Sequence, residues 1–551
     1  MDHQMDGMNQ QRPGSRPGRL VLYAVALAAA FLLGAQAGGG IGIASSPALS
    51  RQFAKLGEVL RLVRESYVDE PDVYAMIEGA VEGMLRPLDP HSVYIPAKDQ
   101  QEVEERFGGE FGGVGIIYEI RDEVLTVVSP IRGTPADRMG LRAGDRIVAI
   151  DGVSAIGITN DQVHRRLRGP EGSQVTIRVE RPGVEQTFEL TLTRGKIPIH
   201  SVESAFLLED GITGYIMISQ FTAVTETELD QALRRLRREG MEQLILDLRG
   251  NSGGYRSQAE AVADRFIEGG RVLFSTRGRI PSANEVRRAT DEVTFPYLPL
   301  VVLVNRGSAS ASEIVAGAIQ DLDRGLIVGE PTFGKGLVQT PFELGDGSVV
   351  RITTSRWYTP SGRCVQRPWD KGIGEYYTEA LGDHDTTETD TTSPYYTRVG
   401  RKVYGGRGII PDKRVDPGRL SDYGAALLRE RAIFDWAQLA ADSIGKPNEP
   451  FDSFLRDWHF SREEVEKFLR YAGRHGVDFD REGWIADRDY LLNQLKAEVA
   501  QRLYNGREYL WQVLIEGDEV VRVARGLVQE ADSLARLPAR ESVVDSPRAG
   551  P

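Results

Sequence analysis

A serine stands where an apolar run gives way to a helical pattern. Leu300-Val301-Val302-Leu303-Val304 reads as a strand, Asn305-Arg306-Gly307 as a turn, and Ser308-Ala309-Ser310-Ala311-Ser312-Glu313-Ile314 as the start of a helix. A hydroxyl at such a junction is presented at the sheet edge, and the helix N-terminus can stabilise negative charge that develops beside it. The same residues have a plainer use, since Ser310 and Glu313 fit the S-x-x-E capping box of many ordinary helices. Farther on, Thr332-Phe333-Gly334-Lys335-Gly336-Leu337-Val338-Gln339 sets a lysine between glycines that allow close backbone approach. A lysine amine acts as a general base only when desolvation in an apolar pocket lowers its pKa, and Phe333, Leu337 and Val338 are suitable neighbours. Gln339, four positions along an extended run, falls on the same side as Lys335 and can hold the amine. A solvated turn lysine is the ordinary alternative.

A third element, Leu244-Ile245-Leu246-Asp247-Leu248-Arg249-Gly250-Asn251-Ser252-Gly253-Gly254, is a buried-type strand running into a glycine-rich loop. The N–H groups of Gly253 and Gly254, with that of Ala311 as second donor, suit an oxyanion hole, although two glycines after a strand also make a simple turn. Gly329-Glu330-Pro331-Thr332-Phe333-Gly334-Lys335 matches seven positions of a phosphate-binding loop. Gly336 then replaces the required Ser or Thr, and a strand pattern replaces the helix, which argues against nucleotide binding. His91, His164, His200, His384, His459 and His475 lie outside these loops and lack metal-ligand spacing, so Ser–His–Asp and zinc chemistry are disfavoured. His91, in a proline turn, reads as structural.

These loops need a layered scaffold. From 196 to about 416, strands expected at 214–218, 243–248, 300–304 and 325–328 alternate with helices at 225–239, 258–267 and 311–321, the pattern of an α/β domain with mostly parallel strands. Within it, 383–393 is acidic and Thr-rich and reads as a disordered insertion. Residues 49–107 read as an N-terminal helical region, 108–195 as a compact β domain, and 417–551 as a helical region with a disordered tail. The amphipathic spacing of this last region leaves open whether it packs on the core or on a second copy of the chain.

The 551 residues imply several domains, and a net charge of −13 disfavours nucleic acid as a partner. A single cysteine, Cys364, rules out an intrachain disulfide framework. At the N-terminus, Arg12, Arg16 and Arg19 precede an apolar run from Leu20 to Leu33, with Ala35-Gln36-Ala37 after it, so 1–48 reads as an export signal or as an uncleaved anchor with its basic end cytoplasmic. Both place the body in the cell envelope: anchored to the inner membrane and facing the periplasmic side, or secreted to the periplasm after cleavage.

Gly113-Val114-Gly115-Ile116, with the later Gly140-Leu141-Arg142-Ala143-Gly144-Asp145-Arg146-Ile147, resembles the carboxylate-binding loop and central strand of a PDZ domain. The chain as a whole is similar to the C-terminal processing peptidases, tail-specific Ser–Lys proteases of family S41. The motifs are Asp247-Leu248-Arg249-x-Asn251-x-Gly253-Gly254, Ser308 to Ile314, and Gly329-Glu330-x-Thr332-Phe333-Gly334-Lys335-Gly336-x-Val338-Gln339, with Leu88-Asp89-Pro90-His91-Ser92 upstream and Gly408-Ile409-Ile410-Pro411-Asp412 downstream. Ser252 departs from the proline usual there. The resemblance implies a PDZ domain inserted before a ClpP- or crotonase-like α/β protease core, Ser310 as nucleophile rather than Ser308 or Ser312, Lys335 as base and Gln339 orienting it. It further implies capture of apolar C-terminal tails of exported proteins by Gly113, Val114, Gly115 and Ile116, no cofactor or metal, and a role for Arg168 in linking PDZ state to the active site. An adaptor or a homo-oligomer would be further partners. The other class of function is a catalytically idle PDZ scaffold, against which the intact Ser/Lys/Gln set argues.

Overall fold

A computed structural model describes residues 47–381, 394–416, 418–444 and 449–540. The N-terminal segment expected to be a signal or anchor, the Thr-rich 383–393 and the tail from 541 lie outside the described residues. The chain divides between Met84 and Leu85 into two compact units. The first contains helix α1 (Pro47–Ser66), whose Phe53, Leu56, Val59 and Leu62 are all exposed, and helix α2 (Val73–Leu85) at its end. Among the described residues, no helix is long and apolar enough to cross a membrane.

The second unit begins with the turn 88–92, strand β1 (Val93–Ile95) and helix α3 (Ala97–Gly108). Strand β2 (Glu110–Gly113) pairs with β9 (Gly195–Pro198) and closes the base of the β domain. Between them, β3 (Ile116–Arg121), β4 (Val124–Pro130), β5 (Arg146–Ile150), β7 (Gln174–Glu180) and β8 (Phe188–Thr193) form an antiparallel sheet in the order β3-β4-β5-β7-β8, with the two-residue β6 (Val153–Ser154) beside β5. Helix α5 (Asn160–Leu167) lays Val163 and Leu167 into the same core, and the single turn α4 (Pro135–Arg138) adds Ala136. The edge strand β3 starts at Ile116, after Gly115 turns the chain with φ of 81°.

The α/β core is a six-stranded sheet in the order β10-β11-β12-β15-β16-β21: Val202–Leu207, Thr213–Ile218, Gln243–Asp247, Leu300–Val304, Leu326–Gly329 and Lys413–Arg414. All its pairings are parallel except that of β10 with β11. Its central strands are buried on both faces, which is why they read as continuous apolar runs. Alternation sorts their side chains by layer: Leu300, Val302 and Val304 meet α6 (Thr225–Glu239), α7 (Arg256–Asp264) and α8 (Ala311–Asp321), while Val301 and Leu303 face the opposite way. A second, antiparallel sheet runs β1-β18-β13-β14, with β17 on β18: β13 is Val272–Gly278, β14 Glu285–Arg288, β17 Leu337–Glu343 and β18 Val349–Tyr358. Helix α9 (Ile373–Leu381) and the small ribbon β19 (Tyr395–Tyr396) with β20 (Lys402–Val403) follow.

The C-terminal residues form helices α10 (Asp422–Arg429), α11 (Ala432–Ile444), α12 (Phe451–Asp457), α13 (Arg462–Arg474), α14 (Arg481–Tyr504), α15 (Arg507–Glu516) and α16 (Glu519–Ala535). The last of these covers the open face of the central sheet, with Val520, Val521, Ala524, Val528 and Ala531 against Tyr215, Ile245, Val301, Leu303 and Val328. The helical region therefore packs on the core and supplies its third layer.

Candidate active site

Strand β15 delivers the chain to Ser310, the residue before α8, with φ 54° and ψ −108°. This is a left-handed backbone that a serine rarely adopts, at a cost of about 1–3 kcal/mol. The other two serines of the run are committed elsewhere. Ser308 and Ser312 are fully buried, and their hydroxyls donate to the carbonyls of Leu248 and Asn251, each over 2.8 Å. With Ala309 N–H on Asn251 O at 3.0 Å, they stitch the serine loop to the glycine-rich loop.

Glu313 does more than cap a helix. Fully buried, it accepts the Ser310 N–H on Oε2 at 2.8 Å and the Lys335 N–H on the same oxygen at 2.8 Å. Its Oε1 accepts the Gly334 N–H at 2.7 Å and the Thr332 hydroxyl at 2.6 Å. Burial pushes this carboxyl above its usual range, opposed by the four donors, Thr332 first. The lysine loop is also tied to the serine loop by Phe333 N–H on Ser308 O at 2.9 Å. Its flanking glycines are needed where they stand: Gly334 has φ of 92°, and a Cβ on Gly336 would lie 2.8 Å from the Gln366 nitrogen.

Burial lowers the pKa of the Lys335 amine, and Arg351 on β18 lowers it further, against Glu313 and Asp89. The wall around this loop is aromatic. Phe333 meets Tyr376 at 5.5 Å and Tyr377 at 6.0 Å between ring centres, and buried Trp357 donates its indole N–H to Lys335 O at 3.0 Å. His91 stands in the same wall, bonded through Nε2 to Tyr376 Oη at 2.9 Å, with its pKa lowered to about 4 by burial first and Lys335 second. Sequence reasoning set this histidine apart from the serine and lysine loops because it is far away along the chain. The turn Asp89–Ser92 that carries it folds back onto β18, where Ser92 Oγ accepts the Thr353 N–H at 3.1 Å.

Gln339 lies on β17, which begins at Leu337. The β17–β18 register skips Thr354, so the extra residue lies on β18, while β17 runs without interruption from Val338 to Gln339. The Gln339 amide donates to Thr353 Oγ1 at 3.2 Å. In the glycine-rich loop, Gly253 and Gly254 have φ of 104° and 145°, and a Cβ on Gly253 would lie 2.9 Å from Ser310 Cβ and 3.1 Å from Ala311 N. The Gly253 N–H already donates to Asn251 Oδ1 at 2.9 Å, and Asn251 is itself fixed through Nδ2 to Ile218 O. Of the two glycines, Gly254 is the one whose N–H has no bond among the described residues. No group of His, Cys, Asp and Glu among the described residues could hold a metal ion.

Residues 212–374 match the model of peptidase family S41, 126–181 that of a PDZ domain, 42–99 that of the activating protease CtpB N-terminal domain, and 427–505 a family of unknown function. The chain is 40% identical over 335 residues to a carboxy-terminal-processing protease of Bartonella bacilliformis, covering 59% of this chain and 74% of that one. It is 34% identical over 334 residues to carboxy-terminal processing protease CtpA of Bacillus subtilis, covering 60% and 70%. The chain belongs to the S41 carboxy-terminal processing proteases. Among solved structures, a photosystem II D1 C-terminal processing protease is 29% identical, covers 66% of this chain and 93% of that one, and has a TM-score of 0.34. As a member of this family the protein is a serine peptidase with a PDZ domain that acts on proteins through C-terminal recognition; its relatives are named as proteases, which sets the idle-scaffold alternative aside.

In the PDZ domain of this S41 protease, Gly113, Val114, Gly115 and Ile116 form the turn that leads into β3, an edge strand with one side unpaired in its sheet. Among the described residues the N–H groups of Val114 and Gly115 have no bond, while the carbonyls of both accept from Ala136 and Ile131. A Cβ on Gly115 would lie 2.3 Å from Thr134. Arg168, at the C-terminus of α5, pairs with Glu105 of α3 at 2.9 Å and lies 4.5 Å above the Phe111 ring. It thereby ties the PDZ helix to the segment that follows the His91 turn.

Proposed function

We propose that Ser310 is the nucleophile and Lys335 the general base of this peptidase. Neutral Lys335 takes the proton from Ser310 Oγ as that oxygen attacks the scissile carbonyl; the N–H groups of Gly254 and Ala311 hold the oxyanion, with Gly253 pinned by Asn251 as their support. The protonated lysine then supplies the leaving amine, and water releases the acyl-enzyme. Gln339, held by Thr353, is the residue that orients the lysine amine. The observation that carries this reading is the shared hold of Glu313 on the backbones of Ser310 and Lys335.

Substrate selection falls to the PDZ domain. The free N–H groups of Val114 and Gly115 suit a terminal carboxylate, the open edge of β3 suits an added strand, and apolar tails of exported proteins fit both. The basic and apolar N-terminal segment supports an envelope location, with the catalytic body on the extracytoplasmic side, either anchored or released after cleavage. The test is cleavage of an unfolded protein with an apolar tail by the parent and by Ser310→Ala and Lys335→Ala. Loss of turnover in both, with tail binding kept, supports the assignment; turnover close to the parent in either removes it.

A further inference from the structure

The turn 88–92 is remote in sequence from both catalytic loops, yet it lies on them. Asp89 folds it: Oδ1 accepts the N–H groups of His91 and Ser92 at 2.8 and 2.9 Å, and Oδ2 accepts the Ser92 hydroxyl at 2.7 Å. Two hydrogen-bond chains then run from its adjacent residues Ser92 and His91 toward the segment that carries the lysine. On one, Ser92 Oγ accepts from Thr353 N, whose own Oγ1 holds Gln339. On the other, His91 Nε2 bonds Tyr376 Oη, Gln366 Nε2 donates to that same oxygen at 3.4 Å, and Gln366 Oε1 accepts the N–H of Gly336, the residue after the lysine. The His91 ring also stands edge-on to Tyr376 and Tyr377, at 5.5 and 6.5 Å, and these tyrosines pack on Phe333.

We propose that His91 is a positioning residue for Lys335: latched to Tyr376, its neutral ring completes the wall that keeps water from the amine. The inference rests on Lys335 being the base. Histidine suits the place because it is flat enough to close an aromatic wall and still satisfies a tyrosine hydroxyl that is buried with its ring. The ring carries no charge at neutral pH, so its action on the lysine there is exclusion of water and not repulsion. The other titratable or charged groups facing the amine or the latch are Glu313 on α8, Arg351 on β18, Asp89 in the turn, Tyr377 on α9 and Arg367 before it. Exchanging His91 for another neutral side chain adds no charge to this set, so a change in the lysine's titration is read as a change in the wall.

The experiment measures kcat/KM for a tail-bearing unfolded substrate, and the labelling rate of the full-length chain by a fluorophosphonate, from about pH 6 to pH 10. Parent, His91→Ala, His91→Gln and Tyr376→Phe are compared, with Ser310→Ala and Lys335→Ala as references. Opening the wall rehydrates the amine and raises its pKa, so the acid limb of His91→Ala moves to higher pH by about one unit, a tenfold loss at any fixed pH below the limb. The alkaline plateau stays within about threefold of the parent. His91→Gln, neutral and able to bond Tyr376, keeps the parent limb, and Tyr376→Phe, which keeps the ring but frees His91, shifts it in the same direction as alanine. If His91→Ala does not fold, the glutamine and phenylalanine variants carry the comparison. An unmoved limb in Tyr376→Phe or in a folded His91→Ala, or an equal loss at every pH, overturns the role of His91. Turnover by Lys335→Ala would instead overturn the base assignment beneath it.

Discussion

Ser310 and Lys335 donate their backbone N–H groups to one and the same oxygen, Glu313 Oε2, each over 2.8 Å. Two loops separated by a helix and a strand thus share an anchor, and the distance between their backbones is set by a carboxylate that is buried and cannot swing away. Each oxygen of Glu313 takes two donors, so the group is used fully as an acceptor.

Replacing Glu313 by Gln turns one of those acceptors into a donor facing two donors. Turnover should fall by roughly 10²-fold, because small displacements of a nucleophile and its base are costly. Stability should fall by about 2–4 kcal/mol from the unpaired buried groups, read as the urea midpoint at unchanged slope. Loss of stability without loss of turnover in the folded fraction would mean that Glu313 is only a cap.

For Lys335 the direction of the shift fixes the sign of the pH dependence. A base with a lowered pKa is active above that pKa, so kcat/KM should fall as pH drops through it, with its midpoint at lower pH than that of an exposed lysine. Arg351 contributes to the lowering, so Arg351→Gln should move the acid limb upward by a few tenths of a unit at low salt, and less at high salt. A downward movement would contradict the placement of that charge.

The three serines of the motif should separate by the kind of damage. Ser310→Ala should abolish labelling by a fluorophosphonate while leaving the melting curve nearly unchanged. Ser308→Ala and Ser312→Ala each remove a buried hydroxyl bonded to the neighbouring loop, so each should cost about 1–2 kcal/mol of stability and keep the label. Mass spectrometry of the labelled peptide distinguishes the three.

What could be read in the sequence was what local pattern encodes. The strand at 300–304 and the helices at 225–239 and 311–321 agree with β15, α6 and α8, because continuous burial and helical periodicity leave direct traces. Strand β18 was not visible. Its Arg351, Thr353, Ser355 and Arg356 interrupt any apolar pattern, and its place comes from pairing with β1, β13 and β17 across large sequence separations. The same limit hid His91: its nearness to Lys335 arises through β18 and α9, and only the motif around Pro90 hinted at a use.

In the PDZ domain, Gly115 is strained for any other residue by its φ of 81° and by the nearness of Thr134. Gly115→Val should distort the turn that leads into β3. KM for a tail-bearing protein should rise by about tenfold or more, while fluorophosphonate labelling of Ser310 stays at the parent rate. Equal loss of both would show that the turn acts on the catalytic loops as well.

Helix α16 reaches the glycine-rich loop through one residue. Asp518 caps α16 by accepting the N–H groups of Val520 and Val521 on Oδ1, at 2.8 and 3.2 Å, while its Oδ2 pairs with Arg249 at 2.7 Å. Arg249 in turn grips Asp247, which also accepts the buried Tyr215 hydroxyl at 2.6 Å, and the chain runs directly from there into Asn251, Gly253 and Gly254. The two jobs of Asp518 can be separated. Asn caps nearly as well as Asp, so Asp518→Asn should cost under about 1 kcal/mol of stability, whereas Asp518→Ala loses the cap as well and costs about 1 kcal/mol more. If the arginine braces the oxyanion loop, both variants should lower kcat by about three- to tenfold with KM unchanged, since only the transition state draws on those N–H groups. An asparagine variant with parent kcat would reduce the contact to a helix cap and leave Arg249 positioned by Asp247 alone.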